Sequence, residues 1–179
     1  MSENEPTNEG KFWYIVYTLP RAEKKLAQHL RKYKVDSYLP LITERKKWSD
    51  RFRMIDTPCF KSYLFVHIDF WKERMKVLQL PGSHHFVFDK GVPATVTIEE
   101  IEELRNILKI RTESIEVREN EALQKGKFVK VISGPLAGKI LEIEKRKNKV
   151  AVFLRFSAMN QVVITEMKIE DIEWEELKL

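Results

Sequence analysis

The sequence predicts an α+β protein of two domains, in which an antiparallel sheet with helices is followed by a small all-β barrel. In the first part of the 179-residue chain, runs with the two-residue period of strands alternate with runs of helical period. Beyond about residue 123 only short strand-like runs remain. The net charge also changes along the chain, from +6 in residues 1–97 to −4 in residues 98–121 and +3 in residues 122–179. These three observations predict two structural units joined by a connector.

The first domain is predicted over residues 12–110, after a tail of residues 1–11 that we expect to be disordered. The aromatic run Phe12 to Tyr17 predicts a buried strand, and Pro20 is expected as the first residue of the helix that follows. After this helix, the sequence predicts an extended segment over 35–42, a second at 52–55 that pairs with it as a long hairpin, and a strong strand over 63–68.

The rest of this domain contains residues that typically begin or end a helix. Asp69 is expected to cap a helix from Phe70 to Leu80, which Pro81 and Gly82 end. Residues 85–88 predict another strand, and the capping box over 97–100 begins a last helix. Without the hairpin, the order is β-α-β-β-α-β, the split arrangement of ferredoxin-like folds.

Residues 111–122 have no clear period and predict a linker. The acidic charge of residues 98–121 is equally well explained by a solvated connector or by the solvated face of a helix, and both can hold. Residues 123–179 predict the barrel, with strands at 128–132, 140–143, 150–154 and 162–165. Their high content of Val, Ile and Phe favours a β structure as the resting state of this domain.

Composition excludes several classes of protein. Cys59 is the single cysteine, which excludes a disulfide scaffold and a cysteine-based zinc site. No apolar run approaches the roughly 20 residues of a membrane helix, and the polar N-terminus has no signal-peptide pattern, so we expect a cytoplasmic protein. No pair of histidines has metal-ligand spacing, His84 and His85 are expected on opposite sides of one strand, and no catalytic motif occurs. We therefore expect no enzyme activity, no cofactor and no metal.

The strand at 63–68 places aromatic side chains on the face opposite its aliphatic residues, where a monomer usually has polar side chains. Alternation directs Leu64, Val66 and Ile68 to one face of this strand and Tyr63, Phe65 and His67 to the other. In the first strand, the same alternation places Tyr17 on one face together with Trp13 and Ile15. Such a second aromatic face is either a binding platform or the floor beneath another element.

The net charge of +5 permits an anionic partner. The segment 45–53 concentrates five cations and two aromatic residues at the predicted hairpin tip, where it would follow a phosphate backbone or simply be solvated. A free-standing RNA-binding module is an alternative function, because 61–68 loosely follows the aromatic strand signature of RNA-recognition motifs.

Several runs in the same order resemble the NusG family of transcription elongation factors, and in particular its specialised paralogues typified by RfaH and UpxY. These runs are FWYIVYT (12–18), PCFKSYLFVHID (58–69), LPGSHHFVF (80–88), TIEEIEEL (97–104) and KGKFVKVISGPLAGKILEI (125–143). The last resembles a KOW motif. Lys61-Ser62 stands where many members have Pro-Gly.

The resemblance implies an N-terminal NGN domain, a linker and a C-terminal SH3-like KOW barrel. It implies that the NGN domain binds the β′ clamp helices of RNA polymerase through an exposed apolar surface containing Tyr17, Phe60, Tyr63 and Phe65. Contact with the polymerase β subunit, and with the ribosomal protein NusE or with Rho through the KOW domain, is implied in the same way. The family's basic face lies near upstream or non-template DNA, and on charge alone we assign DNA contact to Lys46, Lys47, Arg51 and Arg53. The resemblance implies a non-enzymatic factor that promotes processive elongation and antitermination, on specific operons in the manner of the specialised paralogues.

Overall fold

The computed structural model describes residues 10–48, 51–110, 115–119, 126–134, 136–146, 149–168 and 173–177. Helices in these residues are α1 (Glu23–Lys32), α2 (Phe70–Leu78) and α3 (Ile98–Ile110). The strands in chain order are β1 (Phe12–Thr18), β2 (Asp36–Tyr38), β3 (Leu41–Trp48), β4 (Arg51–Pro58), β5 (Tyr63–Ile68), β6 (Ser83–Phe86), β7 (Phe88–Asp89), β8 (Val92–Pro93), β9 (Thr95–Val96), β10 (Ile115–Glu119), β11 (Lys127–Ser133), β12 (Ile140–Arg146), β13 (Lys149–Phe156), β14 (Gln161–Lys168) and β15 (Glu173–Glu176). Most of the predicted tail, residues 1–9, lies outside the described residues.

The described residues pack as two compact units. The first contains residues up to Leu39 together with Lys61 to Thr97. The second contains Pro40 to Phe60 together with the described residues from Ile98 onward.

The first unit is built on an antiparallel sheet with strand order β2-β5-β1-β6, in which β9 also pairs with β1. Without the hairpin, its four strands and two helices follow the order β1-α1-β2-β5-α2-β6, which confirms the predicted split arrangement. Its core lies on one face of the sheet, where Val16 pairs in register with Leu64 and packs with Leu26 and Leu30 of α1. The alternation that assigns Leu64, Val66 and Ile68 to the core is also confirmed.

The helix boundaries differ from the sequence prediction at two ends. Pro20 is not the first helical residue, because Arg21 adopts a positive φ of 62° and α1 therefore begins only at Glu23. Helix α2 ends at Leu78 rather than Leu80. The following Gly82 has φ 98°, and a Cβ there would lie 3.0 Å from the Cβ of Ala22, so both the turn and the close approach require glycine.

The predicted cap of α2 is confirmed. Asp69 accepts a hydrogen bond from the backbone N–H of Lys72 at 3.3 Å, and Glu73 accepts one from the backbone N–H of Asp69 at 3.0 Å. A hydrogen bond from the Lys72 side chain is the main reason that the pKa of Asp69 is lowered from its ordinary value. These bonds supply acceptors for N–H groups that the first turn of a helix leaves without intrahelical partners.

The second unit contains an antiparallel sheet with the order β10-β14-β13-β12-β11-β15 among the described residues. Strands β11 to β14 confirm the four strands predicted for the C-terminal domain. The predicted linker over 111–122 is wrong for residues 115–119, because these form β10 and pair with β14 from Ile115 to Glu119. The remaining linker residues, 111–114 and 120–122, lie outside the described part of the chain.

Hairpin β3-β4 and helix α3 also belong to the second unit, whereas the sequence assigns them to the first domain. The hairpin and α3 join the second unit through contacts between segments that are far apart in the sequence. The ring of Phe60 lies edge-on to that of Phe156, with centroids 5.1 Å apart. Helix α3 packs against β13, and Glu103 on α3 lies 3.9 Å from the Nζ of Lys139.

Candidate functional site

Two of the four aromatic residues assigned to the polymerase contact form a partly exposed cluster in the first unit. Tyr17 and Tyr63 are register partners on β1 and β5, and their rings meet edge-to-face with centroids 5.1 Å apart. Both side chains are half-buried. Burial, and secondarily the neighbouring Tyr17, raises the pKa of Tyr63. Tyrosines in this setting combine an apolar ring with a hydroxyl able to hydrogen-bond a partner.

His84 and His85 extend this pair of tyrosines, although the sequence assigns them no role. His85 stacks on Tyr17 with centroids 5.0 Å apart, and the ring of His84 meets the same tyrosine edge-on at 6.1 Å. The expectation that the two histidines face opposite sides of a strand is wrong, because the register of β1 with β6 shifts between Tyr17 and Thr18. Burial, and secondarily His84, lowers the pKa of His85. We call Tyr17, Tyr63, His84 and His85 the tyrosine cluster.

The other two assigned aromatic residues are buried, so the expectation that they are exposed is wrong. Phe65 has an exposed fraction of 0% and stacks with Tyr38 at a centroid distance of 6.3 Å. Phe60 is 1% exposed and contacts Phe156. For Phe65 the structure thus favours the second interpretation of the aromatic face, the floor beneath other residues. The assignment of both residues to a polymerase contact stays a prediction.

A strained turn positions the start of the aromatic strand. Ser62 adopts φ 64°, in the left-handed region that favours glycine, at the position where many family members have glycine. Its backbone N–H donates to the carboxylate of Glu23 at 2.7 Å, and its carbonyl accepts from the N–H of Thr18 at 2.8 Å. Glu23 is only 6% exposed. These bonds hold Ser62 in a conformation that places Tyr63 opposite Tyr17.

The long hairpin is confirmed, and its register separates the four cations assigned to DNA contact. Lys46 pairs with Arg53 and Trp48 with Arg51, whereas Lys47 pairs with Phe52. Because directly paired residues share a face, Lys46, Arg51 and Arg53 lie on one face of the hairpin and Lys47 lies on the other. We call the face formed by Lys46, Arg51 and Arg53 the basic face.

The opposite side of the hairpin combines cations with exposed apolar side chains. Arg45 pairs with Met54 in the register, and Lys47 pairs with Phe52. The guanidinium of Arg45 lies over the ring of Phe52, 4.1 Å from its centroid. We call Arg45, Lys47, Phe52 and Met54 the aromatic face. The sequence points to the cations of this segment, but only the register shows which of them accompany Phe52 and Met54.

A buried ion pair organises the C-terminal sheet. Arg155 donates from Nε and from one terminal nitrogen to the two carboxylate oxygens of Glu142, each at 2.7 Å. Glu142 is 4% exposed and also accepts from the backbone N–H of Gly126. The hydrogen bond to Glu142 raises the pKa of Arg155. This bidentate geometry fixes β13 against β12.

The residues that the structure describes contain no group of three or more His, Cys, Asp or Glu side chains able to hold a metal ion. None of the helices described there is long and apolar enough to cross a membrane.

Comparison with known protein families shows to which family this chain belongs. A family model described as transcription termination factor nusG matches residues 11–105, just over half of the chain. The chain belongs to the NusG family. NusG-family members are transcription termination and antitermination factors and not enzymes. The matched range of this NusG-family chain contains the tyrosine cluster and the whole of hairpin β3-β4.

Individual relatives extend the similarity into the C-terminal part of this NusG-family protein. The transcription termination/antitermination protein NusG of Rickettsia felis is 24% identical over 155 residues, which are 79% of this chain and 80% of the relative. The corresponding protein of Rickettsia prowazekii is 24% identical over 158 residues, 81% of each chain. A solved structure titled "Domain interaction in Thermotoga maritima NusG" has a TM-score of 0.52 at 20% identity and covers 93% of this chain and 98% of the other. That similarity confirms the predicted fold class, an N-terminal α+β sheet domain followed by an all-antiparallel β domain.

Proposed function

We propose that this NusG-family factor binds RNA polymerase through the tyrosine cluster and promotes processive elongation and antitermination of specific operons. The observation that carries the proposal is the pair Tyr17 and Tyr63, whose rings meet at a partly exposed position on β1 and β5. Their hydroxyls and apolar ring surfaces suit an interface that buries one side of a partner helix. The proposed partner is the β′ clamp helices, with the β subunit as a second contact.

The remaining parts of the chain take the roles that the family resemblance implies. The cations Lys46, Lys47, Arg51 and Arg53 are proposed to contact upstream or non-template DNA as the polymerase moves. The NGN domain is proposed over residues 12–110, and the KOW domain over 123–179 is proposed to bind NusE or Rho. Operon restriction and a cytoplasmic location belong to the same proposal. Binding on both sides of the polymerase cleft would disfavour the open clamp of a paused complex, which is a shift of population and not a catalytic step.

The alternative of a free-standing RNA-binding module is less well supported. It requires Tyr63 and Phe65 to offer their rings together as a platform on which bases stack. Phe65 is fully buried, so only one of these two rings is available at the surface.

The test replaces both tyrosines of the proposed contact. Tyr17→Ala and Tyr63→Ala are each expected to weaken capture of core RNA polymerase by roughly 30-fold, because truncating a central aromatic residue at an interface costs about 2 kcal/mol or more. Phe65→Ala is a poorer test, since removing a buried phenylalanine costs about 3–5 kcal/mol of folding stability.

Tyr33→Ala is the matched control, because Tyr33 is 51% exposed and lies outside the tyrosine cluster. Equal polymerase binding by the wild type and the two cluster variants, with all three folded by circular dichroism, would reject the polymerase contact. Binding of RNA without polymerase, lost in Tyr63→Ala, would favour the alternative.

A further inference from the structure

The two histidines of the tyrosine cluster reach the same side of β6, and a bulge in that strand is the reason. Tyr17 pairs with His85 and Thr18 pairs with Ser83, so His84 is the additional residue of the bulge. An additional residue interrupts the alternation of side chains across a strand. Both imidazole rings consequently contact Tyr17, one stacked at 5.0 Å and the other edge-on at 6.1 Å.

The two imidazole rings also contact each other directly. Nδ1 of His84 lies 2.6 Å from Nδ1 of His85, and the ring centroids are 4.8 Å apart. A hydrogen bond between two imidazole nitrogens needs a hydrogen on one of them and a lone pair on the other. Two protonated rings would place two N–H donors against each other. The pair therefore holds at most one extra proton while this contact lasts.

The surroundings of His85 favour its neutral form. Stacking on Tyr17 takes part of the imidazole ring out of water, and this burial is the main cause that lowers the pKa of His85. The charge of His84 is the second cause. A neutral His85 can accept the hydrogen that His84 carries on Nδ1, so the lowered pKa agrees with the geometry of the contact.

The groups around the pair come from the sheet and from two helices. Strands β1 and β5 contribute Tyr17 and, behind it, Tyr63. At the turn before β6, His29 of α1 lies 3.4 Å from the carbonyl of Pro81. Helix α2 packs on the core face of the sheet, where Phe86 is buried, and the pair lies on the opposite face. The charged residues of α2 belong to that core side of the sheet: Lys72, Glu73, Arg74 and Lys76. A second proton on the pair therefore acts first on the two histidines themselves and on Tyr17.

We propose that His84 and His85 are positioning residues of the polymerase contact, which hold Tyr17 in place and release it when both rings are protonated. Two protonated rings repel each other, so the contact at 2.6 Å is lost and the stacking on Tyr17 is no longer fixed. Both histidines are exposed, so a partner that covers Tyr17 would also have to remove water from their charges. The polymerase contact is therefore expected to weaken on acidification. This inference rests on the proposed function.

The experiment measures the affinity of the full chain for core RNA polymerase between about pH 5 and pH 8, the range in which histidines titrate. The midpoint of the profile is expected below about 6.5, the ordinary value for histidine, because the pKa of His85 is lowered. Below that midpoint the affinity of the wild type is expected to fall about tenfold per pH unit, since binding then requires the release of one proton.

Two substitutions of His85 separate its ring from its charge. His85→Phe keeps a ring that stacks on Tyr17 but cannot be protonated. It is expected to bind polymerase as well as the wild type does at the alkaline end of the range and to lose the pH dependence. His85→Ala removes the stacking and is expected to bind more weakly at every pH. A purely structural role of His85 would leave the pH profile unchanged in His85→Phe.

His67→Phe is the matched control. His67 also stacks on an aromatic ring of the same sheet, with its centroid 5.0 Å from that of Trp13, but it lies outside the tyrosine cluster. This variant is expected to keep the pH profile of the wild type. Three results would overturn the inference: a flat profile in the wild type, an unchanged profile in His85→Phe, or an equal flattening in His67→Phe.

A second measurement needs no polymerase. Proton NMR of the imidazole Cε1–H groups in the full chain follows the titration of His85, whose signal is the one missing from His85→Phe. The pKa of His85 is expected to rise in His84→Ala, which removes the neighbouring ring, and an unchanged value would contradict the coupling of the pair. If the wild type captures no polymerase at any pH, the proposed function is disproved. Capture that does not change with pH rejects this inference alone.

Discussion

At the scale of single residues, Glu23 and Ser62 control the start of the aromatic strand β5. The Glu23 carboxylate accepts the Ser62 N–H at 2.7 Å from a position that is 6% exposed. Glu23→Ala removes this acceptor and is expected to lower the free energy of unfolding by about 2 kcal/mol, the cost of a partly buried donor that loses its partner. Glu23→Gln retains an amide oxygen that can accept the bond and is expected to cost less. Urea denaturation of the two variants measures the difference.

Ser62→Gly tests the same turn from the other side. Glycine adopts a φ near 64° without the steric cost that a side chain incurs, so this variant is expected to gain about 0.5–1 kcal/mol. A loss of stability would contradict the account of Ser62 as strained.

Alternation along β5 correctly predicts which residues face the core, because Leu64, Val66 and Ile68 follow the two-residue period of a strand. The burial of Phe65 does not follow from that pattern, since a period identifies a face and not what covers it. The hydrogen bond between Glu23 and Ser62 is also not predictable from a local pattern, because the two residues lie 39 positions apart in the chain. Both omissions concern contacts between distant segments.

At the scale of elements, the strands with strong apolar periods are predictable, and the exceptions have local causes. Strand β10 pairs with β14, and its half-buried Ile115 and Val117 alternate with the exposed Glu116 and Arg118. This alternation covers only four residues inside an acidic segment, which is too short a run to distinguish a strand from a connector by period alone. The late start of α1 depends on the backbone conformation of Arg21, which the preference of Pro20 for a first helical turn does not reveal.

The ion pair between Glu142 and Arg155 is predicted to be a main tie between β12 and β13. Glu142→Gln removes the carboxylate charge that the largely buried Arg155 guanidinium faces and is expected to cost about 3 kcal/mol of stability. Glu166→Gln is the matched control, because the Lys149–Glu166 pair at 2.9 Å is more exposed and should be worth less than about 1 kcal/mol. Thermal unfolding followed by circular dichroism compares the two variants. Equal losses would show that burial of the pair does not matter.

At the scale of the whole molecule, the order of elements predicts both sheets, but the grouping of segments into units does not follow from it. The hairpin and α3 pack with the C-terminal strands because Phe60 meets Phe156 and α3 meets β13. Neither contact has a sequence signal, since each joins segments that are far apart in the chain. The proposed polymerase contact of Phe60 therefore requires separation of its ring from Phe156.

Cys59 provides a probe of that separation because it directly precedes Phe60 and is the single cysteine of the chain. Burial raises the pKa of its thiol to about 12. The thiolate is the reactive form, so the native chain is expected to react very slowly with an aromatic disulfide reagent at pH 8. Phe156→Ala removes the edge-to-face partner of Phe60 and is expected to accelerate the reaction at least about tenfold. Because Phe156 is itself buried, the variant also loses about 3–5 kcal/mol of folding stability, which requires a control of similar cost.

Met167→Ala distinguishes local opening from general loss of stability, because Met167 is 2% exposed in the same sheet and Phe156 remains in place. If the two variants accelerate the reaction equally, Cys59 reports unfolding of the whole sheet and the local account is wrong. If only Phe156→Ala accelerates it, the same variant should also bind core polymerase more tightly than the wild type. The reason is that a binding-competent state of Phe60 that is more populated before the encounter lowers the apparent dissociation constant in proportion.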